Sequence, residues 1–205
     1  MSTKVRFPWQ KLRWLFYDCE IMSCIPQPGE EIKDHAYKYC AGWHDHANMG
    51  IACICTYTSW DNSYRVFDDD NLDGFKKLIA KTDRIVGFNS KSFDDKLCAA
   101  NNIKISTDYD LLGEVRLAAG MPENYVKGVT RSGYDLNSLG QASLSMTKSG
   151  SGEFAPVLFQ DGKQQAVQAY CLNDVFMSVQ LLRLGWEGRI IDPTSGDDLQ
   201  LRPLR

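Results

Sequence analysis

Apolar and polar positions divide the chain into a β-rich first part and a helix-rich remainder. Residues 12–21 form a dense apolar and aromatic run that two acids interrupt late, which is typical of a buried central strand. Between residues 37 and 60, two further β-rich stretches flank a polar turn at 44–48, and residues 64–67 add a short strand. Three sequential strands joined by short turns predict an antiparallel meander.

The remainder of the chain alternates a short strand with segments of helical spacing. Apolar residues recur at helical intervals after Asn71, where an Asp- and Asn-rich stretch favours the start of a helix. Residues 84–88 predict a strand, and further helices are predicted for residues 93–101, 110–119, 136–144 and 164–186. We therefore expect an α/β fold, with a mixed central sheet (an antiparallel meander plus parallel strands) flanked by helices.

Two long segments are predicted as loops, and the end of the chain as a hairpin. Residues 120–134 contain Gly, Pro and Tyr, and residues 145–163 are typical of a mobile flap beside a site. Residues 190–201 hold a Pro-Thr-Ser-Gly-Asp turn between two short apolar runs, which favours a terminal hairpin. At 205 residues, 43% of them hydrophobic, residues 1–205 suit a single domain that can bury a core.

Composition narrows the functional classes. A net charge of -3 argues against a protein that grips a long stretch of nucleic acid, but it allows an enzyme that acts at a strand end. The first fourteen residues lack the features of a secretory signal, and no run of eighteen apolar residues is present. We therefore expect a cytoplasmic protein with no membrane partner, whose seven cysteines are reduced, buried thiols.

Two acids on the first predicted strand are the first candidates for chemistry. Asp18 and Glu20 lie two residues apart, so their side chains leave the same face of a strand. Burying carboxylates in an apolar strand is costly unless something compensates them, and a bound cation is the usual compensation. The alternative interpretation is an edge strand whose acids face solvent.

Two later segments add acids where a helix meets the sheet. Asp94 follows the strand at 84–88 and opens the next helix, at the place where open α/β sheets bind ligands. An acid at a helix start is also favoured by the helix dipole alone. Tyr170 and Asp174 lie four apart in the long helix and share one face, although a surface pair would have the same spacing.

Taken in order, these segments resemble the three exonuclease motifs of the DEDD superfamily, in the branch whose third motif is Tyr-x-x-x-Asp. The matching stretches are Asp-Cys-Glu at 18–20, Asn-Ser-Lys-Ser-Phe-Asp at 89–94 and Tyr-Cys-Leu-Asn-Asp at 170–174. The resemblance covers nearly the whole chain. It implies a ribonuclease H-like fold and a 3′-to-5′ exonuclease that hydrolyses phosphodiester bonds.

The resemblance also implies a role for each matching residue. The ligands of two divalent cations would be Asp18, Glu20, Asp94 and Asp174. Such hard oxygen ligands favour Mg²⁺ or Mn²⁺. Tyr170 would orient the attacking water, and Asn89 would contact the substrate near the scissile end. Ile21 and Met22 stand where many relatives have Thr or Ser after the first-motif Glu, so contacts to the terminal nucleotide differ there.

Nucleic acid is the expected partner, single-stranded DNA first, with RNA left open. Lys148 and Lys127 lie in the two long loops and are candidate phosphate contacts. Candidate platforms for stacking bases are Trp43, Tyr57, Tyr125 and Phe154. Three alternatives remain open: an exoribonuclease on the same site, a catalytically idle nucleic-acid-binding module, and a phosphoesterase that acts on small nucleotides.

Two other groups of metal-binding residue types have ordinary interpretations. The His44-Asp45-His46 stretch has no Cys or His partners at a suitable spacing and indicates a solvated turn. Cys53 and Cys55 lack the two-residue gap of zinc knuckles, and we interpret them as part of a strand with one thiol on each face.

Overall fold

The structure is a computed structural model that describes residues 11–27, 36–148, 150 and 152–203. The predictions made for the first ten residues, and for positions 149 and 151 of the second long loop, lie outside the described residues. None of the described helices combines the length and the apolarity that crossing a bilayer requires.

A five-stranded mixed sheet forms the centre of the fold. Its strands are β1 (Trp14–Ile21), β2 (Ile51–Thr58), β3 (Ser63–Phe67), β4 (Arg84–Gly87) and β5 (Tyr109–Asp110), in the order β3-β2-β1-β4-β5. The first three pair antiparallel as a meander, whereas β4 pairs parallel with β1 and β5 pairs parallel with β4. This arrangement confirms the predicted α/β class with its mixed sheet.

The central position of β1 follows from its apolar residues, which are buried on both faces. Trp14 and Phe16 belong to one core cluster, and Leu15 and Tyr17 belong to another on the opposite face. Because side chains alternate along a strand, only a strand covered on both sides can bury four consecutive apolar residues. The acids that follow are therefore carried in the second half of the buried central strand.

Seven helices lie around the sheet in the described part of the chain. They are α1 (His46–Met49), α2 (Leu72–Ile79), α3 (Asp94–Ala100), α4 (Leu111–Ala118), α5 (Leu136–Leu144), α6 (Ala155–Gln160) and α7 (Gln164–Trp186). The bounds of α5 and α7 match the predicted segments 136–144 and 164–186. The long α7 packs against β1 and β2 and buries residues on much of its circumference, so it forms the main cover of one face.

Two predictions about the first part of the chain are wrong. Residues 37–43 form no strand beyond a single bridge between Cys24 and Tyr39, and α1 replaces most of the predicted polar turn at 44–48. The backbone here is satisfied locally, since the Cys40 N–H donates to the Cys24 carbonyl and the Lys38 N–H donates to the Gln160 side chain. Consequently β1 and β2 are joined by a long connection rather than a short turn.

A third correction concerns the second long loop, residues 145–163. It contains the helix α6, which has Pro156 in its first turn. A proline is tolerated there because the first helical N–H groups have no intrahelical partner. The sequence did not predict this helix, because six residues are too few to show a hydrophobic period.

The cysteines of β2 also differ from their prediction. Cys53 and Cys55 belong to the same core cluster, whereas Ile54 between them belongs to the cluster on the other face. Residues two apart in a strand point to the same side, so both thiols face α7. The prediction of one thiol on each face was therefore wrong.

The predicted terminal hairpin is confirmed and is anchored by a buried acid. Strands β6 (Ile190–Ile191) and β7 (Asp198–Leu199) pair antiparallel. Between them, Asp192 accepts hydrogen bonds from the Tyr134 hydroxyl at 2.6 Å and from the Thr194 N–H at 2.8 Å. Burial opposes ionisation of Asp192, but these hydrogen bonds prevail and lower its pKa to about 2.

We predict that Asp192→Asn destabilises the protein in a pH-dependent way. At neutral pH it should lower the free energy of unfolding by about 1.5–3 kcal/mol, as expected when hydrogen bonds to a charged group are lost. Because the folded pKa of about 2 lies below the ordinary 3.8, wild-type stability from this group is complete above the ordinary pKa and is lost as the pH falls toward 2. Urea unfolding at about pH 7 and about pH 3 measures the free energy of unfolding of both proteins. The difference between the wild type and Asp192→Asn should be smaller at the lower pH.

The matched control for this prediction is Asp197→Asn, which changes an exposed acid of the same hairpin. It should leave the free energy of unfolding within about 0.5 kcal/mol of the wild type at both pH values. A difference between Asp192→Asn and the wild type that stays constant from neutral to acid pH would contradict the proposed role of the charge.

Candidate active site

The carboxyl-terminal half of β1 carries the first two acids of the site. Asp18 lies opposite Cys55 and Glu20 lies opposite Cys53 in the register with β2, so both acids leave the same face of the sheet. Glu20 is only 6% exposed, and Asp18 is partly exposed. Since β1 is the central strand, the alternative of an edge strand with solvent-facing acids is wrong.

Asp94 reaches the same place from the first residue of α3. Its carboxylate accepts a hydrogen bond from the backbone N–H of Cys19 at 3.1 Å, which ties the start of α3 to β1 between the two acids. The tight turn before it depends on Gly87, because a Cβ there would lie 2.2 Å from the Ser90 hydroxyl. The turn also holds Asn89 in the left-handed region, at a φ of 62°.

The neighbouring Asp95 has a different role from Asp94. Its carboxylate accepts hydrogen bonds from the Tyr17 hydroxyl at 2.5 Å and from the N–H and hydroxyl of Thr107 at 3.0 and 2.9 Å. These bonds join α3 to β1 and to the segment before β5. Asp95 therefore positions the start of α3, while Asp94 faces the site.

Asp110 holds the same turn from the other side. It accepts hydrogen bonds from the N–H groups of Asn89 and Lys91 at 3.0 and 3.1 Å and also caps α4. The sequence suggested a helix start here but gave no indication of this role, because the donors lie about twenty positions earlier in the chain. Asp110 is thus a positioning residue that only the folded chain reveals.

The long helix α7 supplies Tyr170 and Asp174. Asp174 is 3% exposed and Tyr170 is 6% exposed, so the alternative of a surface pair is wrong. Within the part of the chain that the structure describes, Asp174 Oδ1 and the Tyr170 hydroxyl are buried without a hydrogen-bond partner. Buried polar atoms are normally paired, and such orphans indicate a place that a ligand, an ion or water completes.

Lys148 is the cation that the described structure places against this cluster. Its ammonium group forms an ion pair with Asp174 and lies 4.9 Å from the centre of the Tyr170 ring. Burial opposes the charge on Lys148, but the Asp174 carboxylate prevails and raises the pKa of the lysine. The sequence identified Lys148 as a phosphate contact; the structure pairs it with a carboxylate of the site.

The electrostatics of the site come from burying several acids together. Burial and then the charge of Asp174 raise the pKa of Asp18 to about 8, with Lys148 opposing the shift. Burial and the charge of Asp18 raise the pKa of Glu20 and of Asp94 in the same direction. Burial also raises the pKa of Asp174, which Lys148 partly offsets. A nearby positive charge therefore favours the ionised form of each acid.

Three ligand atoms lie close enough to share one ion. Oxygen atoms of Asp18 and Glu20 and the thiol of Cys171 lie within 4.8 Å of one another. Asp94 and Asp174 do not belong to this group, but both lie near it: Asp94 accepts a hydrogen bond from the Cys19 N–H, and the charge of Asp174 acts on Asp18. Cys171 was not identified as part of the site, since its thiol is placed there only by the packing of α7.

A largely apolar cavity of about 380 Å³ opens beside the acids. Glu20 and Ile21 form part of its wall, and its aromatic lining comes from Tyr39, Trp43, Phe93 and Phe154. Trp43 packs edge-on against Phe93 at 6.0 Å and is 57% exposed, while Phe154 is 63% exposed. Flat, accessible rings next to carboxylates provide a surface on which a planar apolar group can bind.

The remaining predicted substrate contacts lie outside this cavity. Met22 packs near Gly50 outside the wall of this cavity, and Asn89 lines a separate small depression with Lys91. Tyr125 is exposed in the loop at 120–134 and does not line the cavity, and the same holds for Lys127.

Tyr57 is the one aromatic candidate that the structure rules out. It is buried in the core, 5% exposed, and its hydroxyl donates a hydrogen bond to Asn62 at 2.9 Å. A ring enclosed by other side chains has no free face for a base, so the prediction of a stacking platform at Tyr57 was wrong.

Comparison with known proteins places the fold. Neither the protein-family models nor the curated proteins gave a match. Among solved structures, the chain is similar to the family B DNA polymerase from the hyperthermophilic archaeon Pyrobaculum calidifontis, at 17% sequence identity and a TM-score of 0.56. The match covers 91% of this chain but 26% of the polymerase, so the chain spans about a quarter of that protein. At this identity the comparison shows that the α/β fold described above also occurs within a DNA polymerase.

Proposed function

We propose that this protein is a divalent-metal-dependent 3′-to-5′ exonuclease with a ribonuclease H-like fold, acting on the ends of DNA strands. The observation that carries the proposal is that oxygens of Asp18 and Glu20 lie close enough to share an ion, while Asp94 and Asp174, from two other parts of the chain, are buried near them. Keeping such acids together is unfavourable unless cations bind there. The resemblance of these same residues to the DEDD motifs agrees with that requirement.

The residues present fit a divalent-metal site. Asp174 Oδ1 is a buried oxygen with no hydrogen-bond partner among the described residues, and the oxygens of Asp18 and Glu20 lie within 4.8 Å of each other. An all-carboxylate set is hard and favours Mg²⁺ or Mn²⁺. When bound, such ions lower the pKa of a water and offset the negative charge of a phosphodiester.

Tyr170 is proposed to orient the attacking water. Burial and then the charge of Asp174 raise the pKa of its hydroxyl above the ordinary value of 10, so the group stays protonated at neutral pH. A neutral phenol can both donate and accept a hydrogen bond, which suits the positioning of water more than nucleophilic attack. Its hydroxyl lies beside Asp174 and Lys148, next to the place where the water would bind.

Lys148 is proposed to offset the negative charge of Asp174 and to bind a phosphate oxygen of the substrate. Its side chain is 23% exposed, so the ammonium group lies at the boundary between the acids and solvent. A cation in that position offsets part of the repulsion between the acids, and it can turn to a phosphate oxygen when other cations neutralise Asp174. Lys148 thus retains the phosphate contact suggested by the sequence, and Asp174 is its second partner.

The cavity beside Glu20 is proposed to hold the terminal base. Trp43 and Phe154 are exposed aromatic side chains in its lining, and stacking on such rings accepts any base. A base must leave its duplex to stack in this way, which favours single strands or frayed ends. The polymerase that shares the fold is by name a DNA enzyme, which supports DNA as the substrate.

The direct test is digestion of matched 5′-labelled DNA and RNA oligonucleotides with Mg²⁺, Mn²⁺ or EDTA. We expect a ladder that shortens from the 3′ end of DNA with either metal and none with EDTA. Asp18→Asn should slow this reaction by about 10³-fold or more, because a metal ligand contributes several kcal/mol of transition-state stabilisation. The control Asp73→Asn, an acid with an 85% exposed side chain on α2, should keep the wild-type rate.

The outcomes of this digestion separate the alternatives. A ladder on RNA alone would identify an exoribonuclease. Binding of DNA without cleavage under any metal would identify an idle binding module, and release of phosphate from free nucleotides alone would identify a small-molecule phosphoesterase. Equal rates for the wild type and Asp18→Asn would remove the metal assignment.

We predict that Tyr170→Phe lowers kcat on the order of 10²-fold, which is typical for the loss of a group that assists proton transfer or water attack. Metal binding should be retained, because the phenol is not among the proposed ligands. Mn²⁺ titration and single-turnover digestion measure the two quantities separately. The control Tyr64→Phe alters a 39% exposed tyrosine on β3 and should leave both unchanged. A Tyr170→Phe rate equal to that of the wild type would exclude the proposed role.

We predict that Trp43→Ala raises KM for single-stranded DNA more than it lowers kcat. Loss of one stacking platform costs about 1–3 kcal/mol, or roughly 5- to 150-fold in affinity. Steady-state kinetics on a short oligonucleotide measure both constants. Trp60→Ala changes a tryptophan that is 36% exposed and outside the cavity, and it should leave KM unchanged. An unaltered KM for Trp43→Ala would place the base elsewhere.

A further inference from the structure

Three buried cysteine thiols meet directly beneath the acids. Cys53 and Cys55 project from the same face of β2, and Cys171 projects from α7 onto that face. Their sulfur atoms lie within 4.8 Å of one another, and all three residues are fully buried. The proposed nuclease chemistry uses none of them.

The spacing of these sulfurs suits a soft metal ion. Zinc binds thiolates at about 2.3 Å in a tetrahedral arrangement, which places neighbouring sulfurs about 3.8 Å apart. Three thiols within 4.8 Å therefore reach this arrangement by small rotations of their side chains. The thiol of Cys55 lies 3.6 Å from the Gln168 carbonyl and also interacts with the thiols of Cys53 and Cys171, so the three sulfurs already contact one another.

Asp18 offers a fourth ligand at the edge of this group. The Cys171 sulfur lies 3.5 Å from Asp18 Oδ2, and Cys171 belongs both to the thiol group and to the set that contains Asp18 and Glu20. Zinc accepts carboxylate oxygen together with thiolate, whereas Mg²⁺ avoids sulfur. The two neighbouring groups thus select different metals.

We propose that Cys53, Cys55 and Cys171 form a binding site for a thiophilic divalent cation of the zinc class, with Asp18 as the oxygen ligand. Each ion that binds displaces three thiol protons, which pass to solvent, and no electron transfer is involved. An ion in this site draws Asp18 away from Glu20, Asp94 and Asp174. If the proposed nuclease function holds, zinc-class ions therefore inhibit the enzyme even in excess Mg²⁺.

A second pair of thiols provides an internal control. Cys19 and Cys98 lie 3.8 Å apart in the core cluster on the other face of the sheet. Two thiols alone form a weaker site than three thiols with a carboxylate. Substitution of Cys98 therefore changes the number of thiols in the protein without changing the proposed site.

The experiment is a titration of the reduced, metal-stripped full chain with Cd²⁺, which reports thiolate ligation by ultraviolet charge-transfer absorption. We expect a band that saturates at one equivalent and persists in millimolar Mg²⁺. Cys171→Ser and Cys53→Ser should each weaken Cd²⁺ binding beyond the roughly 10- to 100-fold that the loss of an outer partner costs. Cys98→Ser should leave the band unchanged. Since the band is read without substrate, it is independent of the proposed nuclease function.

Two measurements on the wild-type chain test the proposal even if the cysteine variants fail to fold. Cadmium NMR should give one resonance at the shift of a site with three sulfur ligands, and Zn²⁺ should displace the Cd²⁺ band at equal stoichiometry. The absence of a band, a resonance typical of two sulfurs, or a band lost in Cys98→Ser and kept in Cys171→Ser would each overturn the proposal.

Discussion

Repulsion among buried carboxylates is the constraint around which this protein is built. Asp18 and Glu20 lie in the second half of the central strand, and Asp94 and Asp174 are carried by two helices. Burial raises the pKa of each acid, which shows that ionising them together is unfavourable in the fold itself. Apolar packing elsewhere must therefore hold the acids in place.

The fold holds these acids by fixing each carrier separately. The strand β1 is buried on both faces, and α7 packs along it and along β2. The start of α3 is secured by the bonds of Asp95 and by the contact of Asp94 with the Cys19 N–H. Because three rigid elements converge, small movements of one element cannot relieve the repulsion. Lys148 offsets part of it through its ion pair with Asp174.

The surroundings of the acids give the site two chemically different borders. On one side lies the largely apolar cavity with the exposed rings of Trp43 and Phe154. On the other side, toward the core, Cys171 joins the acids to two thiols of β2. Hard oxygen atoms and soft sulfur atoms therefore lie side by side, with Asp18 next to Cys171.

The sequence by itself determined β1 to β4, the longer helices and the positions of the acids. The apolar run of β1, the helical spacing of α7 and the order of the three motifs are local features that the residues display without a fold. For the same reason short elements were misjudged: residues 37–43 do not form the strand predicted there, and α6 has too few residues to show a period.

Only the tertiary structure decided the partners of those residues. The pairing of Lys148 with Asp174, the bonds of Asp110 to the turn at Asn89 and the approach of Cys171 to Asp18 join positions far apart in the chain. Such contacts depend on the register of strands and on how α7 lies across them, which no local pattern encodes. The sequence thus specified which groups carry charge, and the packing of the sheet and helices specified which of them meet.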